Sequence, residues 1–251
     1  DPLQEQAANP SKGLIHKYQG RALLITTGAC PIHCRYCFRQ HYDYSAQLSS
    51  EGYLAEAITH IKADETLDEI ILSGGDPLSL TNKALRELFV QLNAIPHLQR
   101  LRIHTRFPIV IPQRIDTGLL EILRGSRLPV TVVVHCNHAQ ELSASVVEAL
   151  RELRLATTSL LNQSVLLHKV NDKYDVLKTL SEALHDAGVL PYYLHLLDEV
   201  IGAENYACDQ KTAFQLHEAM RNSMPGYLVP RLVREIAGQK SKTPITIPSQ
   251  L

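Results

Sequence analysis

The chain has 251 residues, of which 45% are hydrophobic, and this length is enough for one domain with one sizeable core. The formal charge of −1 and the pI near 6.9 exclude the strongly basic character typical of proteins that bind nucleic acid or anionic membranes. No apolar run is long enough for a transmembrane helix and no signal peptide opens the sequence, so we expect a cytoplasmic protein without a membrane partner.

The N-terminal part offers few structural signals. The chain begins with Asp1 rather than methionine, which suggests a fragment whose upstream segment is missing. Residues 1–20 are polar and irregular, and we expect them to form a lead-in to the first strand.

From there on, short β-branched runs alternate with amphipathic stretches. The runs predict strands at residues 22–27, 69–75, 101–106, 130–135, 158–167 and 190–197. The stretches between and after them predict helices near residues 51–63, 81–94, 114–124, 139–154, 174–187 and 209–222. Such apolar strands separated by helices indicate an α/β fold with a parallel sheet covered by helices. Six units favour a partial barrel, and a doubly wound open sheet is the alternative.

The final stretch, GQKSKTPITIPSQ, contains Gly, Ser and two Pro and is predicted to be an ordered loop or a tail.

Polar residues follow the predicted strands at their carboxyl ends, where parallel α/β folds place their active sites. Asn162 and Gln163 instead interrupt the fifth strand earlier, so either could point into a barrel interior. The residues at the strand ends are the cysteine loop, Gly74, Gly75, Asp76, His104, Arg106, His135, Asn137 and Asp198. Of the residues in these strands and at their ends, His104, His135, Asn162 and Gln163 are candidates for lining a cofactor site, although each fits a satisfied core position almost as well.

Three of the five cysteines, Cys30, Cys34 and Cys37, lie within eight residues in a CxxxCxxC spacing. An odd and clustered count argues against a disulfide framework and for a reduced protein that uses its thiols chemically. Zinc held by three cysteines and a flanking histidine, His33 or His41, is one interpretation. A redox CxxC pair would leave Cys30 unexplained. Three thiolates can instead hold three irons of a cubane cluster and leave the fourth iron open to a substrate.

The cysteine spacing after the first strand, with Tyr36 before the last cysteine, resembles the signature of the radical S-adenosylmethionine (SAM) enzymes. The resemblance implies a 4Fe–4S cluster whose open iron is chelated by SAM, which is then cleaved to a 5′-deoxyadenosyl radical. The SGGDPL stretch at residues 73–78 looks like the family's glycine-rich segment. We therefore expect Gly74, Gly75 and Asp76, together with His135 and Gln163, to bind cofactor.

The resemblance extends over nearly the whole chain to the lysine 2,3-aminomutase family, which adds pyridoxal 5′-phosphate (PLP). It is carried by KYQGRALLITTGACPIHCRYCFRQH, SGGDPL, RIHTRFPIVIP, HCNHAQE, LLNQSVLLHKVND, AGVLPYYLHLLD and SKTP. In AGQKSKTP the match to the family's PLP lysine is Lys242, with Lys240 as the second candidate. By position relative to Cys30, Arg21 and Lys17 match the two basic residues that bind the PLP phosphate.

The same resemblance implies residues for an amino-acid substrate. Arg39 matches the arginine that binds the substrate carboxylate, a task that suits a guanidinium fork. Asp198 matches an aspartate that holds the distal amino group of lysine, and Glu235 stands where the family has a second acid, usually aspartate. Two carboxylates facing one ammonium would select lysine. His195 is a weaker match to a pocket residue.

The implied activity is isomerisation of free L-lysine to (R)-β-lysine by a shift of the amino group from C2 to C3. The chain has few residues after Lys242 and no cysteine after Cys208, which resembles the shorter family members that serve modification of elongation factor P. A separate β-lysine ligase and a one-electron donor such as flavodoxin or ferredoxin would be the partners. The alternatives are a catabolic aminomutase and a zinc-binding module without enzymatic activity.

The resemblance also gives an expected division of the chain. Residues 1–20 form the lead-in, residues 21–237 form the radical SAM barrel, and residues 238–251 form the PLP-lysine loop and the tail.

Overall fold

The computed structural model describes residues 9–40, 42–48, 52–239 and 241–246, and a nine-stranded sheet is its main feature. The strands are β1 (Leu14–Tyr18), β2 (Arg21–Thr27), β3 (Glu69–Gly74), β4 (Arg100–Thr105), β5 (Val130–Val134), β6 (Ser159–Leu166), β7 (Leu190–Leu196), β8 (Arg231–Arg234) and β9 (Thr243–Pro244). Strands β2 to β8 pair in parallel, and β1 and β9 are antiparallel to their neighbours.

Helices connect the parallel strands and cover one face of the sheet. They are α1 (Tyr44–Gln47), α2 (Tyr53–Ala63), α3 (Asn82–Asn93), α4 (Phe107–Val110), α5 (Thr117–Arg124), α6 (Ala144–Ala156), α7 (Tyr174–Asp186) and α8 (Gln210–Ser223). Side-chain caps fix several of their starts: Thr81, Asp116 and Asp209 accept hydrogen bonds from backbone N–H groups in the first turns of α3, α5 and α8. The six predicted strands and six long helices are all present.

The core lies between the sheet and the helices. Along β6 every second residue is buried, from Leu160 to Leu166, as expected for a strand with one face under helices. The main apolar cluster joins strands β2 to β6 to helices α2, α3, α5 and α6, and a second cluster joins β6, β7 and β8 to α7 and α8. The opposite faces of the strands carry the polar residues that form the site described below.

The sheet is an open barrel rather than a doubly wound sheet. The spatial order of the strands equals their order in the chain, whereas a doubly wound sheet reverses direction at a switch point. Within the described ranges no ladder joins β1 to β9, so the barrel is not closed by backbone pairing. The predicted partial barrel is therefore confirmed, with β8 as a further parallel strand.

Besides β8, the two edge strands of the sheet were not predicted. β1 forms within the residues expected to be an irregular lead-in, and β9 has only two residues within the predicted loop or tail. Both are antiparallel edge strands, whose short and partly polar sequences lack the long apolar runs of the buried parallel strands. The division of the chain at residues 20 and 237 stays a prediction.

Within the described part of the chain, no helix is both long enough and apolar enough to cross a lipid bilayer.

The turn after β6 is held by one fully buried amide, Asn171. Its Oδ1 accepts from the backbone N–H of Leu167 at 2.7 Å, and its Nδ2 donates to the carbonyls of Asn137 and Val165 at 2.9 Å each. A buried side chain that satisfies three backbone groups in this way makes the turn rigid.

We expect Asn171→Ala to lower the free energy of unfolding by about 3 kcal/mol, because buried backbone groups lose their partners. Urea denaturation of the cofactor-free chain measures the change. Asn222→Ala, at an exposed position on α8, is the matched control and should shift stability by less than about 0.5 kcal/mol. Equal effects of the two substitutions would contradict the bracing role of Asn171.

Candidate active site

The cysteine loop leaves the carboxyl end of β2. Cys30 is exposed, Cys34 and Cys37 are half-buried, and all five cysteines of the chain are free thiols. The backbone N–H of Cys37 donates to the carbonyl of Cys34 at 3.0 Å, which places these two residues in one turn. Although the residue as a whole is exposed, partial desolvation of its thiol, followed by the charges of Asp76, Cys37 and Cys34, raises the pKa of Cys30 to about 11. Cys34 and Cys37 thus lie close enough to act on the Cys30 thiol.

Gly74 and Gly75 pack directly under this loop. A Cβ on Gly75 would lie 2.3 Å from the carbonyl oxygen of Ala29, and Gly74 has a φ of +112° that favours glycine. Gly75 N–H donates to the carbonyl of Thr27 at 2.7 Å, and Asp76 N–H donates to that of Ala29 at 2.8 Å. The glycine segment therefore fixes the backbone of the cysteine loop at its start.

Asp76 is buried and uses both carboxylate oxygens within the protein. Its Oδ1 accepts from Leu78 N–H at 3.0 Å and from Thr105 Oγ1 at 2.7 Å, and its Oδ2 accepts from Arg106 N–H at 2.6 Å. Burial raises the pKa of Asp76 even though these hydrogen bonds oppose the shift. Asp76 thus ties the end of β3 to the end of β4, and its expected role in cofactor binding stays a prediction.

Arg106, at the end of β4, connects the cysteine loop to the next strands. Its Nη1 donates to Cys34 Sγ at 2.9 Å and to the Tyr36 hydroxyl at 2.7 Å, and its Nη2 pairs with Glu141 Oε2 at 2.8 Å. Asn137 Nδ2 also donates to the Tyr36 hydroxyl, at 2.6 Å. Burial raises the pKa of Tyr36, so the hydroxyl stays neutral beside the guanidinium.

The sequence marks Arg106 only as a polar residue at a strand end and gives no role for Glu141. Arg106 directly follows β4, which is the signal for it, whereas Glu141 ends a short 3₁₀ helix (Ala139–Glu141) beyond β5 and has no such signal.

The interior face of the barrel carries three neutral imidazoles. Gln163 Nε2 donates to His135 Nε2 at 2.7 Å, and the rings of His104 and His135 lie 6.1 Å apart. Burial, followed by the positive charges of Arg106, Lys242 and Arg39, lowers the pKa of His135 to about 3. Burial and nearby cations likewise lower the pKa of His104 and of His195. The buried Nε2 atoms of His104 and His195 have no hydrogen-bond partner among the described residues.

Asn162 does not join this interior, because neighbouring residues of a strand point to opposite faces. It lies among residues of α7, where its Oδ1 accepts from Cys136 N–H at 2.8 Å and its Nδ2 donates to Ser164 Oγ at 2.9 Å. The sequence allowed either Asn162 or Gln163 to point into the barrel interior, and in the structure only Gln163 does so.

Arg39 reaches the same interior from the end of the cysteine loop. It is buried, its Nη1 donates to Ser73 Oγ at 3.1 Å, and its guanidinium lies 4.7 Å from the centroid of the Phe38 ring. Its charge contributes, with that of Lys242, to the lowered pKa values of His104 and His135. The structure thus brings Arg39 and Lys242 to one set of imidazoles.

A second cluster lies where the two ends of the sheet meet, around the carboxylate of Glu235. Its Oε1 accepts from Lys17 Nζ at 3.1 Å and from the Tyr18 hydroxyl at 2.7 Å, and its Oε2 accepts from Lys242 Nζ at 2.7 Å. Arg21 stacks on the Tyr18 ring at 4.6 Å. Although burial alone would raise it, the pKa of Glu235 is held below its usual range by Lys242, Tyr18 and Lys17.

The local fold explains this meeting. β9 pairs with β8 as Arg234 with Thr243, so the residues just beyond the pair, Glu235 and Lys242, stand side by side. Lys17 and Tyr18 end β1, at the other edge of the sheet. The predicted phosphate, PLP and substrate residues of this region are therefore neighbours.

Asp198 is half-buried and lies two residues beyond β7. Its carbonyl accepts from Val200 N–H at 2.8 Å, which makes a tight turn at the sheet's carboxyl edge. His41 and Lys240 lie outside the described residues.

The thiols of the three loop cysteines are not gathered at one point. Among the described residues, the group of three or more histidine, cysteine or acidic side chains whose ligand atoms all lie within 4.8 Å of one another is His168, Asp172 and Cys208, which does not include the loop cysteines. The zinc and iron–sulfur interpretations of the loop are therefore distinguished by the comparisons below rather than by the positions of its sulfur atoms.

Residues 24–180 match the family model of the radical SAM superfamily. The chain is 47% identical over 247 residues to the L-lysine 2,3-aminomutase of Escherichia coli, covering 98% of this chain and 72% of that protein. It is 44% identical to the protein of the same name from Haemophilus influenzae, with 97% and 72% covered, and 35% identical to that from Clostridium subterminale, with 98% and 59% covered.

Solved structures agree at the level of the fold. The SuiB protein of Streptococcus suis, bound to S-adenosylmethionine, matches with a TM-score of 0.61 at 15% identity, over 88% of this chain and 51% of that chain. Coproporphyrinogen III oxidase of Escherichia coli matches with a TM-score of 0.53 at 15% identity, over 82% and 53%. The chain therefore belongs to the radical SAM superfamily and, within it, to the L-lysine 2,3-aminomutase family.

Proposed function

We propose that this chain is an isomerase that moves the amino group of L-lysine from C2 to C3 and yields (R)-β-lysine. The observation that carries the proposal is the half-buried Glu235 carboxylate, which already accepts a hydrogen bond from a primary ammonium, that of Lys242, at 2.7 Å. This carboxylate, which binds a lysine side chain, lies near the barrel interior. Lys242 and Arg39, which extends from the cysteine loop, both act on the interior residue His104. The relatives named above carry the matching activity in their names.

The cysteine loop fits a 4Fe–4S cluster with SAM at its open iron. Cys30, Cys34 and Cys37 would be the three ligands. Gly75 packs so closely against the Ala29 carbonyl that it fixes the position of the loop backbone. Arg106, which contacts Cys34 Sγ at 2.9 Å, would place a positive charge next to one ligand and stabilise the more reduced, more negative cluster. Gly74, Gly75, Asp76, His135 and Gln163 are the proposed surroundings of SAM and PLP.

PLP fits the second cluster. Lys242 would hold it covalently, and Lys17 and Arg21, which flank the Tyr18 ring, would neutralise its phosphate. The buried, unpartnered Nε2 atoms of His104 and His195 need a hydrogen-bond partner, and a polar ligand in the interior would supply one.

The substrate residues then follow from charge. Arg39 would bind the lysine carboxylate, while Asp198 and Glu235 would bind the distal ammonium. With Lys242 holding PLP, the Glu235 oxygen that pairs with the lysine amine in this structure would be available to the substrate's amine.

When bound, the cluster and SAM supply a primary-carbon radical for hydrogen abstraction, and PLP supplies a π system for the nitrogen shift. The chain's own residues orient lysine by both of its ends, so that one Cβ hydrogen is presented to the radical source. The imidazoles of His104, His135 and His195 stay neutral at physiological pH, because burial and surrounding cations lower their pKa values. They can therefore accept hydrogen bonds without adding positive charge.

The physiological role we propose is supply of β-lysine for modification of elongation factor P, with a downstream β-lysine ligase. This is supported by size: relatives at 42–47% identity are matched over 72–73% of their length, whereas relatives at 35% are matched over 58–59%, so the more similar ones are shorter chains. Cytoplasmic location and a flavodoxin or ferredoxin as electron donor complete the proposal.

An anaerobic assay with free lysine, SAM, PLP and a reductant should give β-lysine. Asp198→Asn and Glu235→Gln should each raise the KM for lysine by about 30-fold, equivalent to about 2 kcal/mol for a lost charged hydrogen bond. Asp209→Asn, which keeps the cap of α8, is the control and should leave KM unchanged. Isomerisation of glutamate or alanine but not lysine would contradict the assignment of Asp198 and Glu235.

Lys242→Ala should abolish covalent attachment of PLP, measured as borohydride-reducible cofactor that stays with the denatured protein. Lys240→Ala discriminates between the two candidate lysines and should retain attachment. Lys178→Ala, at an exposed i,i+4 pair with Glu182, controls for loss of a surface amine. Loss of labelling in Lys240→Ala with retention in Lys242→Ala would reverse the assignment.

Gly75→Ala should reduce incorporated iron several-fold with little change in far-ultraviolet circular dichroism, because a Cβ at this position would overlap the Ala29 carbonyl of the cysteine loop. Gly226→Ala is the matched control, since a Cβ there meets nothing within 4 Å. Iron content after anaerobic reconstitution is the measurement. Equal iron content in the two variants would show that the loop tolerates displacement.

A further inference from the structure

Outside the proposed active site, three side chains of different ligand type converge at one point. His168 follows β6, Asp172 lies four residues on, just before α7, and Cys208 precedes α8. Each offers one ligand atom, and these atoms all lie within 4.8 Å of one another. His168 Nδ1 and Asp172 Oδ2 are 2.7 Å apart.

The backbone around this cluster is fixed from both sides. His168 N–H donates to the carbonyl of Tyr206 at 2.8 Å, which joins the segment after β6 to the segment after β7. Asn171 anchors the first segment through its three buried hydrogen bonds. Asp209, next to Cys208, caps α8 through the N–H of Thr212 at 2.9 Å and so fixes the second segment. The three side chains are therefore placed by rigid neighbours before any ligand arrives.

Negative charge lies next to the Cys208 sulfur. Asp172 shares the cluster with it, and Asp209 is the next residue in the chain. A divalent cation at the sulfur would therefore be attracted by two carboxylates. The ion pair engages only His168 and Asp172, and Cys208 packs at the edge of the apolar cluster around α7 and α8. A metal ion would engage all three ligand atoms.

We propose that His168, Asp172 and Cys208 form a zinc site that pins the segment after β6 to the segment after β7. Thiolate, imidazole and carboxylate together are the donors that zinc takes in proteins, and the fourth position would be open to solvent, since the His168 side chain is 46% exposed. On binding, the Cys208 thiol loses its proton to solvent and the sulfur–zinc bond forms, with no change of oxidation state. The site needs neither the cysteine loop nor PLP, so it stands independently of the proposed function.

The test uses the full chain with its iron–sulfur cluster reconstituted, equilibrated with Zn²⁺ and freed of loosely bound metal by gel filtration. We expect about one zinc per chain and a higher Tm, since a ligand that binds the folded state stabilises it. Cys208→Ser and Asp172→Asn should weaken zinc binding by more than the roughly 10- to 100-fold that loss of an outer-shell partner costs. His185→Ala is the matched control, because His185 forms a similarly exposed pair with Asp186 at 4.0 Å.

Cobalt titration separates this site from the cysteine loop. In a variant with Cys30, Cys34 and Cys37 changed to Ser, Co²⁺ should still give a sulfur-to-cobalt charge-transfer band, and the added change Cys208→Ser should remove it. Zinc content and Tm that are the same in Cys208→Ser as in the unchanged chain would overturn the proposal. A cobalt band that survives Cys208→Ser would overturn it as well.

Discussion

The open barrel depends on a contact that no backbone ladder provides. Strands β1 and β9 are the two edges of the sheet, and within the described residues they are joined by side chains that meet at Glu235. Lys17 and Tyr18 come from one edge, and Lys242 comes from the other. Because these partners are separated by more than 200 residues, their meeting brings the first and last strands around a common interior. A carboxylate left without these cations at that depth would be costly, so the three partners and Glu235 stabilise one another.

The interior that this contact encloses has an excess of positive character. After burial, the charges of Arg106, Lys242 and Arg39 lower the pKa of His135, whereas Glu235 is paired with its own cations. Arg102 is paired with Glu69 by two hydrogen bonds, at 3.0 and 2.7 Å. An interior of this kind suits ligands that carry phosphate and carboxylate groups, because its positive charge attracts anions. Neutral imidazoles add polarity there without adding charge.

Much of the framework was predictable because its physics is local. Long β-branched runs such as Val130–Val134 have few stable arrangements other than a buried parallel strand, and Asp116 and Asp209 stand where helix caps are needed. β1 and β9 were missed because an edge strand is selected by its partner rather than by its own sequence. The inward position of Gln163 was one of two possibilities in the sequence. Only the pairing of β6 with its neighbours decides that Asn162 faces the helix instead.

The site was predictable to a different extent. The cysteine spacing restricts the chemistry by itself, but the network of Arg106, Tyr36 and Glu141 depends on three separate strand ends meeting, which spacing cannot express. The contact of Glu235 with Lys242 depends in turn on the register of β8 and β9. Glu235 was predicted to bind the amine of the substrate. In the structure it does bind an amine, but that amine belongs to Lys242 of the chain itself.

The segment after β7 links the two halves of the site. It begins with Asp198 and continues past Ile201, whose carbonyl accepts from Gln40 Nε2 of the cysteine loop at 2.9 Å. Tyr206 of the same segment lies under the Arg35 guanidinium, 5.4 Å from its ring centroid, and its carbonyl accepts from His168 N–H. The backbone that carries a proposed substrate carboxylate is therefore packed against the loop that carries the thiols. A displacement of the cysteine loop would therefore also move the segment that carries Asp198, through these hydrogen bonds and ring contacts. The positions of the thiols and of Asp198 depend on each other.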